Sequence, residues 1–160
     1  MIRAQCLLLI ALATPSLASA AGMTPQDVKV EVESLGAQKT VADLNAHGGR
    51  RWDAFLRGVQ SGRGDWLALV PAIKSGTDAG TAEGLQIAVS MALSRNAAGV
   101  LALTPATYAL SALCIVPLIE PTDAQVTTYK RRTLSGLDKA SSGSAANKVQ
   151  ECRRLLTEKR

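Results

Sequence analysis

This sequence of 160 residues is poor in the side chains that most often carry chemistry: it has one histidine, three cysteines, one phenylalanine, two tryptophans and two tyrosines. With His47 as the single imidazole, a Ser-His-Asp or Cys-His mechanism has only one candidate base, and no G-x-S-x-G turn exists to present a nucleophile. A zinc site needs more ligands than Cys114, Cys152 and His47 offer. No phosphate loop ending in Gly-Lys-Ser/Thr is present, and Gly62-Arg63-Gly64 follows no strand, so it is not a dinucleotide fingerprint. The few aromatics do not interleave with the basic residues, which argues against stacking on nucleic acid. No catalytic residue, metal or cofactor is therefore expected. A hydrophobic content of 47% carried by so few rings points instead to aliphatic helix packing.

Residues 1 to 20 have a basic Arg3, an apolar run from Cys6 to Ala13, a breaker at Pro15 and small residues at Ala18-Ser19-Ala20. This pattern reads as a cleavable secretory signal peptide. The run is shorter than the ~20 apolar residues needed to cross a core of ~30 Å, and no cysteine sits at the cleavage point to accept a lipid. The expected product is a periplasmic or secreted protein, a retained N-terminal anchor being the alternative. Residues 21 to 160 then make one helical domain, long enough for one core and short for two. Removing the signal also removes Cys6 and leaves Cys114 and Cys152 in an oxidising space, where one disulfide is expected. Two free thiols or a reactive pair are the alternatives, although neither cysteine sits in a CxxC.

Periodicity and punctuation predict about eight short helices. Thr24-Pro25 starts the first, with Val28, Val32 and Leu35 on one face and Gly36 at its end. A second runs from Gln38 to Ala46, burying Val41 and Leu44, and His47-Gly48-Gly49 breaks it. Trp52 through Val59 to Ser61-Gly62 then recurs fourteen residues later as Trp66 through Ile73 to Ser75-Gly76, which reads as a duplicated helix. Each copy has an i, i+3, i+4, i+7 stripe and a glycine able to stop it in the left-handed conformation. Asp65 is expected to cap the second copy, which accounts for Arg63-Gly64-Asp65 better than an adhesion motif does, and Pro71 is expected to kink it. Asp78, in the Gly76–Gly80 loop, is the loop residue most open to a functional reading, with a turn or cap as its ordinary role. Thr81 to Glu83 suit a helix N-terminus ahead of the stripe Leu85, Ala88, Val89, Ala92 and Leu93.

No charge occurs from Asn96 to Ile119, which raises a membrane span with Lys130-Arg131-Arg132 on its cytoplasmic side. Pro105 and Pro117, Thr104 and Thr107, and Gly99 favour two buried helices around Thr104-Pro105 instead. Thr122-Asp123-Ala124-Gln125 matches a capping box, followed by a helix to about Ala140 that carries Val126, Tyr129 and Leu137. After Ser141-Ser142-Gly143-Ser144, a last helix near Ala145 to Lys159 aligns Val149, Cys152 and Leu156, so that Cys152 faces inward. Nine Lys/Arg against three acids lie between Lys130 and Arg160. Lys130, Arg131, Arg132, Arg153 and Arg154 therefore form the candidate interaction surface, with solvated helix faces as their plain reading.

Gly64-Asp65-Trp66-Leu67-Ala68-Leu69, Gly76 to Glu83, Val100-Leu101, Cys114 and Glu120 together resemble an uncharacterised family of small exported bacterial all-helical proteins, over about residues 25 to 156. The resemblance implies an all-helical, HEAT-like arrangement with shared cysteines, and it brings no activity, ligand or catalytic residue. The expected protein is an all-α fold in αα-hairpins stapled by one disulfide. Its expected role is a non-enzymatic periplasmic protein-binding module, in concrete form an immunity or inhibitor protein whose partner is another exported protein. The alternatives are an envelope-associated module using the basic C-terminal face on anionic lipid, and a hydrolase with dispersed carboxylates such as Glu31, Glu83 or Glu120.

Overall fold

A computed structural model of the protein describes residues 22–141 and 145–158. The signal peptide expected at residues 1–20, the break at Ser142-Gly143-Ser144 and the end of the last helix at Lys159 lie outside the described residues.

Ten α-helices are formed among the described residues: α1 Pro25–Leu35, α2 Ala37–Asn45, α3 Arg50–Gln60, α4 Gly64–Leu67, α5 Val70–Lys74, α6 Ala79–Ala92, α7 Ala97–Ala102, α8 Leu110–Leu113, α9 Asp123–Lys139 and α10 Ala146–Thr157. They group as four hairpins: α1 with α2, α3 with α4 and α5, α6 with α7 and α8, and α9 with α10. The principal packing contacts run within one hairpin or between consecutive ones: α3 lies on α6, α2 on α5, α4 on α7, α7 on α9 and α8 on α10. This nearest-neighbour order is that of a helical-repeat stack, in which each unit buries its apolar face against the next.

Local chemistry accounts for most of the boundaries. Thr24 and Asp27 form a reciprocal capping box at α1, with Pro25 in the first turn where its missing N–H costs nothing. Thr122 and Gln125 do the same at α9. Gly36 at φ 81°, and His47, Gly48 and Gly49 at φ 54°, 82° and 71°, end the first two helices in conformations with positive φ.

The duplicated stretch departs from expectation. The first copy is one helix, α3, but the second is two, α4 and α5, which accounts for part of the excess over eight. Pro71 lies in the first turn of α5, where its ring would clash with the carbonyl of Leu67 if the helix continued, so the chain breaks rather than kinks. Gly62 takes the left-handed conformation expected of it, at φ 73°. Gly76 is required for a different reason: a Cβ there would lie 2.3 Å from the Ala37 carbonyl carbon, because the end of α5 abuts the start of α2. Asp65 is not the cap. Arg63 occupies the N-cap position without a side-chain capping bond, and Asp65, in the first turn, pairs with Arg63 and accepts the Trp66 N–H at 2.9 Å.

The core runs unbroken along the stack through Val28, Leu44, Phe55, Val59, Ile73, Leu85, Val89, Leu93, Leu101, Leu113 and Leu137, all essentially inaccessible. Three of the few aromatics meet where the two copies face each other. Trp52 stacks on Phe55 at 5.4 Å and Trp66 meets Phe55 edge-on at 5.9 Å. Gly58 makes room for this: a Cβ on it would sit 2.5 Å from the Trp66 ring. The stripe expected on α6 is fully buried, whereas Leu35 is 40% exposed because α2 turns away at Gly36 before it can cover it.

The uncharged stretch supplies core rather than one long helix. Ala97, Val100, Leu101, Leu103, Tyr108, Leu113 and Cys114 are buried, and the chain reverses between α7 and α8 through a cis Thr104–Pro105 bond. Among the described residues no helix is long and apolar enough to cross a membrane. Cys114, at the end of α8, is disulfide-bonded to Cys152 of α10, with Cα atoms 5.2 Å apart, so the third and fourth hairpins are covalently joined. Cys152 faces inward between Val149 and Leu156, as the spacing predicts.

Candidate functional site

The basic residues of the C-terminal segment separate into two populations once the helices are packed. Arg153 of α10 ion-pairs with Asp138 of α9. Arg154 is held by Glu151 at 2.6 Å and by Glu158, and these carboxylates raise its pKa further, while the Arg154 hydrogen bond lowers that of Glu151. Lys148, half-buried in the first turn of α10, donates to the carbonyls of Leu101 at 3.1 Å and Thr104 at 2.5 Å, clamping α10 onto the end of α7. Those charges are spent within the fold.

Arg131 and Arg132 are not. With Lys139 they project from the C-terminal half of α9 into a cleft of about 600 Å³, whose opposite wall is the turn after α6 and the start of α7, from Ser94 to Ala98. Arg95 on that wall brings the fourth cation, its guanidinium steadied by the Gln60 carbonyl at 2.7 Å. Ser94, Asn96 and Ser135 add polar groups, and Ala97, Ala98, Gly136 and Ala140 keep the walls low. Among the described residues no acidic side chain lines the cleft, and none of its four cations is ion-paired. Lys130, one position away on α9, turns toward a different groove beside Cys114, Ile115, Val116 and Leu155. The surface expected from sequence thus resolves into Arg131 and Arg132 in the cleft, Lys130 beside the disulfide, and Arg153 and Arg154 in ion pairs.

Arg95 and Lys139 were not singled out by the sequence pattern. Lys139 is legible in hindsight, since it lies seven residues from Arg132 and so on the same helical face. Arg95 belongs to another hairpin and carries no local signal.

Asp78 is the N-cap of α6, which begins at Ala79, two residues ahead of the start expected at Thr81. Its carboxylate accepts the Thr81 hydroxyl at 2.6 Å and the Thr81 N–H at 2.9 Å, and these bonds hold its pKa below the usual carboxylate range. It borders a small recess of about 240 Å³ with Asn45, Gly76 and Thr77. His47 sits in the turn before α3, in a recess formed with Asp43, Ala46, Arg50 and Arg51. Glu31 of α1 is bonded to Arg51 at 2.5 Å, Glu83 lies on α6, and Glu120 occupies a turn at φ 46°, so the dispersed carboxylates stand on three separate elements. Among the described residues no group of three His, Cys, Asp or Glu side chains is placed to hold a metal ion.

Fold and cleft together define a small all-helical domain of stacked hairpins with one cationic recess at the junction of its third and fourth units. No protein-family model matches the chain, and no curated protein or solved structure is similar to it.

Proposed function

We propose that this protein is a non-enzymatic binding module that acts on another exported protein, in the manner of an immunity or inhibitor protein. The observation that carries the reading is the cleft: three cations on α9 and a fourth, Arg95, in the α6–α7 turn, none of them ion-paired among the described residues, while Arg153 and Arg154 of α10 are neutralised internally. A stack of helical hairpins is suited to such a role, because each unit adds surface on a preorganised backbone and little ordering entropy remains to be lost on binding. The exported compartment is supported by the signal-like pattern at residues 1–20 and by the bonded cysteine pair, which persists in oxidising surroundings.

The test is affinity capture from envelope extract with the oxidised protein lacking residues 1–20, at moderate and at high salt, followed by mass spectrometry and reassembly of the complex from purified components. A single partner in one-to-one stoichiometry by light scattering is the expected result. Absence of any stoichiometric protein would overturn the module, and salt-released uptake by anionic vesicles in its place would assign the envelope-associated role.

A further inference from the structure

We infer that the cleft between α9 and the α6–α7 turn recognises an acidic segment of the partner polypeptide, by side-chain carboxylates spaced along it; this rests on the binding-module reading and specifies its ligand chemistry. Three features of the cleft select that chemistry. The charge is of one sign: Arg95, Arg131, Arg132 and Lys139 face the recess and no acid does. An anion entering it meets no repulsion and displaces no internal ion pair.

The second feature is span. Arg132 and Lys139 are seven residues apart on one helix, which places their backbones about 10 Å apart along the axis, and Arg95 stands on the opposite wall. A single phosphate or carboxylate is too small to reach all of these groups. A chain carrying several carboxylates reaches them together, and a guanidinium takes a carboxylate with two parallel hydrogen bonds.

The third is the character of the surroundings. Among the described residues no aromatic side chain lines the cleft, so bases have nothing to stack on. The large exposed apolar side chains, Val30, Leu35 and Ile119, are not among its lining residues, so no hydrophobic anchor accompanies the charge as an interfacial lipid site requires. Small residues at Ala97, Ala98, Gly136 and Ala140 leave room for a polypeptide backbone between the cations.

The experiment measures binding of fluorescein-labelled hexaglutamate by anisotropy at low and raised salt. It compares the wild type, the cleft pair Arg132→Glu with Lys139→Glu, and a control pair Lys39→Glu with Arg57→Glu, which makes the same charge change on α2 and α3. Circular dichroism confirms that each variant is folded. The wild type and control pair are expected to bind with an affinity that falls with salt, and the cleft pair to bind about tenfold to a hundredfold more weakly, since each reversal removes one attraction and adds one repulsion. Equal binding by the cleft and control pairs would overturn the assignment. So would competition by inorganic phosphate at the same carboxylate-equivalent concentration, or uptake by anionic vesicles without binding of the peptide. Capture of a partner protein by the cleft pair as well as by the wild type would overturn the cleft and leave the module standing. Cleft-dependent peptide binding with no protein captured would overturn the module and support the acidic-segment site.

Discussion

Breaking the Cys114–Cys152 bond should loosen the fourth hairpin before the rest of the stack. The bond joins positions 38 residues apart and its loop contains the whole of α9. In the chain-entropy picture, closing a loop of that length restricts the unfolded state by about 4 kcal/mol, a large part of the ~5–15 kcal/mol that holds a domain of this size together. With a urea dependence of about 2 kcal/mol per molar, replacing both cysteines by alanine should lower the unfolding midpoint by about 2 M. Both cysteines are buried, Cys114 at 2% and Cys152 at 0% exposure, so part of the effect of substitution is lost packing. Reducing the wild type without substitution isolates the crosslink. Because the principal contacts of each hairpin are internal or with its neighbours, hydrogen exchange followed by mass spectrometry should show α9 and α10 losing protection while α3 and α6 keep theirs. A midpoint shift below about 0.5 M on reduction would refute the entropic estimate. A uniform loss of protection along the chain would refute the nearest-neighbour reading of the fold.

Three further outcomes are expected. Gly58→Ala should destabilise by about 1–3 kcal/mol despite alanine's better helix propensity, because its Cβ has no room beside the Trp66 ring; thermal unfolding of the pair of proteins decides the sign. Lys148→Met should cost about 1–3 kcal/mol in urea unfolding, since the Thr104 carbonyl loses its donor at the α7–α8 reversal, while that of Leu101 keeps the Thr104 hydroxyl and N–H. Stability should fall at both ends of the pH scale. Asp27, by bonds from the Thr24 backbone and hydroxyl, and Asp78, by bonds from the Thr81 hydroxyl and backbone, titrate below their ordinary 3.8, so their contribution is present above that pH and is lost as pH falls through the lowered values. Burial raises Tyr129 from 10.0 to about 12, so its contribution is present below pH 10 and is lost between there and about 12; melting temperature with tyrosinate absorbance across the series checks both limbs.

By itself the sequence determined the features that a few adjacent residues decide. The caps at Thr24 and Thr122, the stops at Gly36 and His47-Gly48-Gly49, the buried stripes of α3, α6 and α10, and the inward face of Cys152 are all short-range consequences of hydrogen-bond capacity, backbone freedom and helical period. The two prolines in the uncharged stretch were likewise enough to favour short buried helices over one long one. Copying the pattern of α3 onto Trp66–Gly76 failed because a stripe survives a chain break: Trp66, Val70 and Ile73 are buried although no continuous helix joins them. Only the tertiary structure decided why Gly76 must be glycine, since the obstruction is the carbonyl of Ala37 from another hairpin. The same holds for the cleft. A lysine or arginine carries the same charge wherever it stands, and whether that charge is neutralised depends on which acid or carbonyl the fold brings to it. Asp138 reaches Arg153, Glu151 and Glu158 reach Arg154, and two distant carbonyls reach Lys148. Arg95 joins Arg131, Arg132 and Lys139 from the preceding hairpin with no acid among the described lining residues, a juxtaposition that the packing of α9 against α7 and the α6–α7 turn creates.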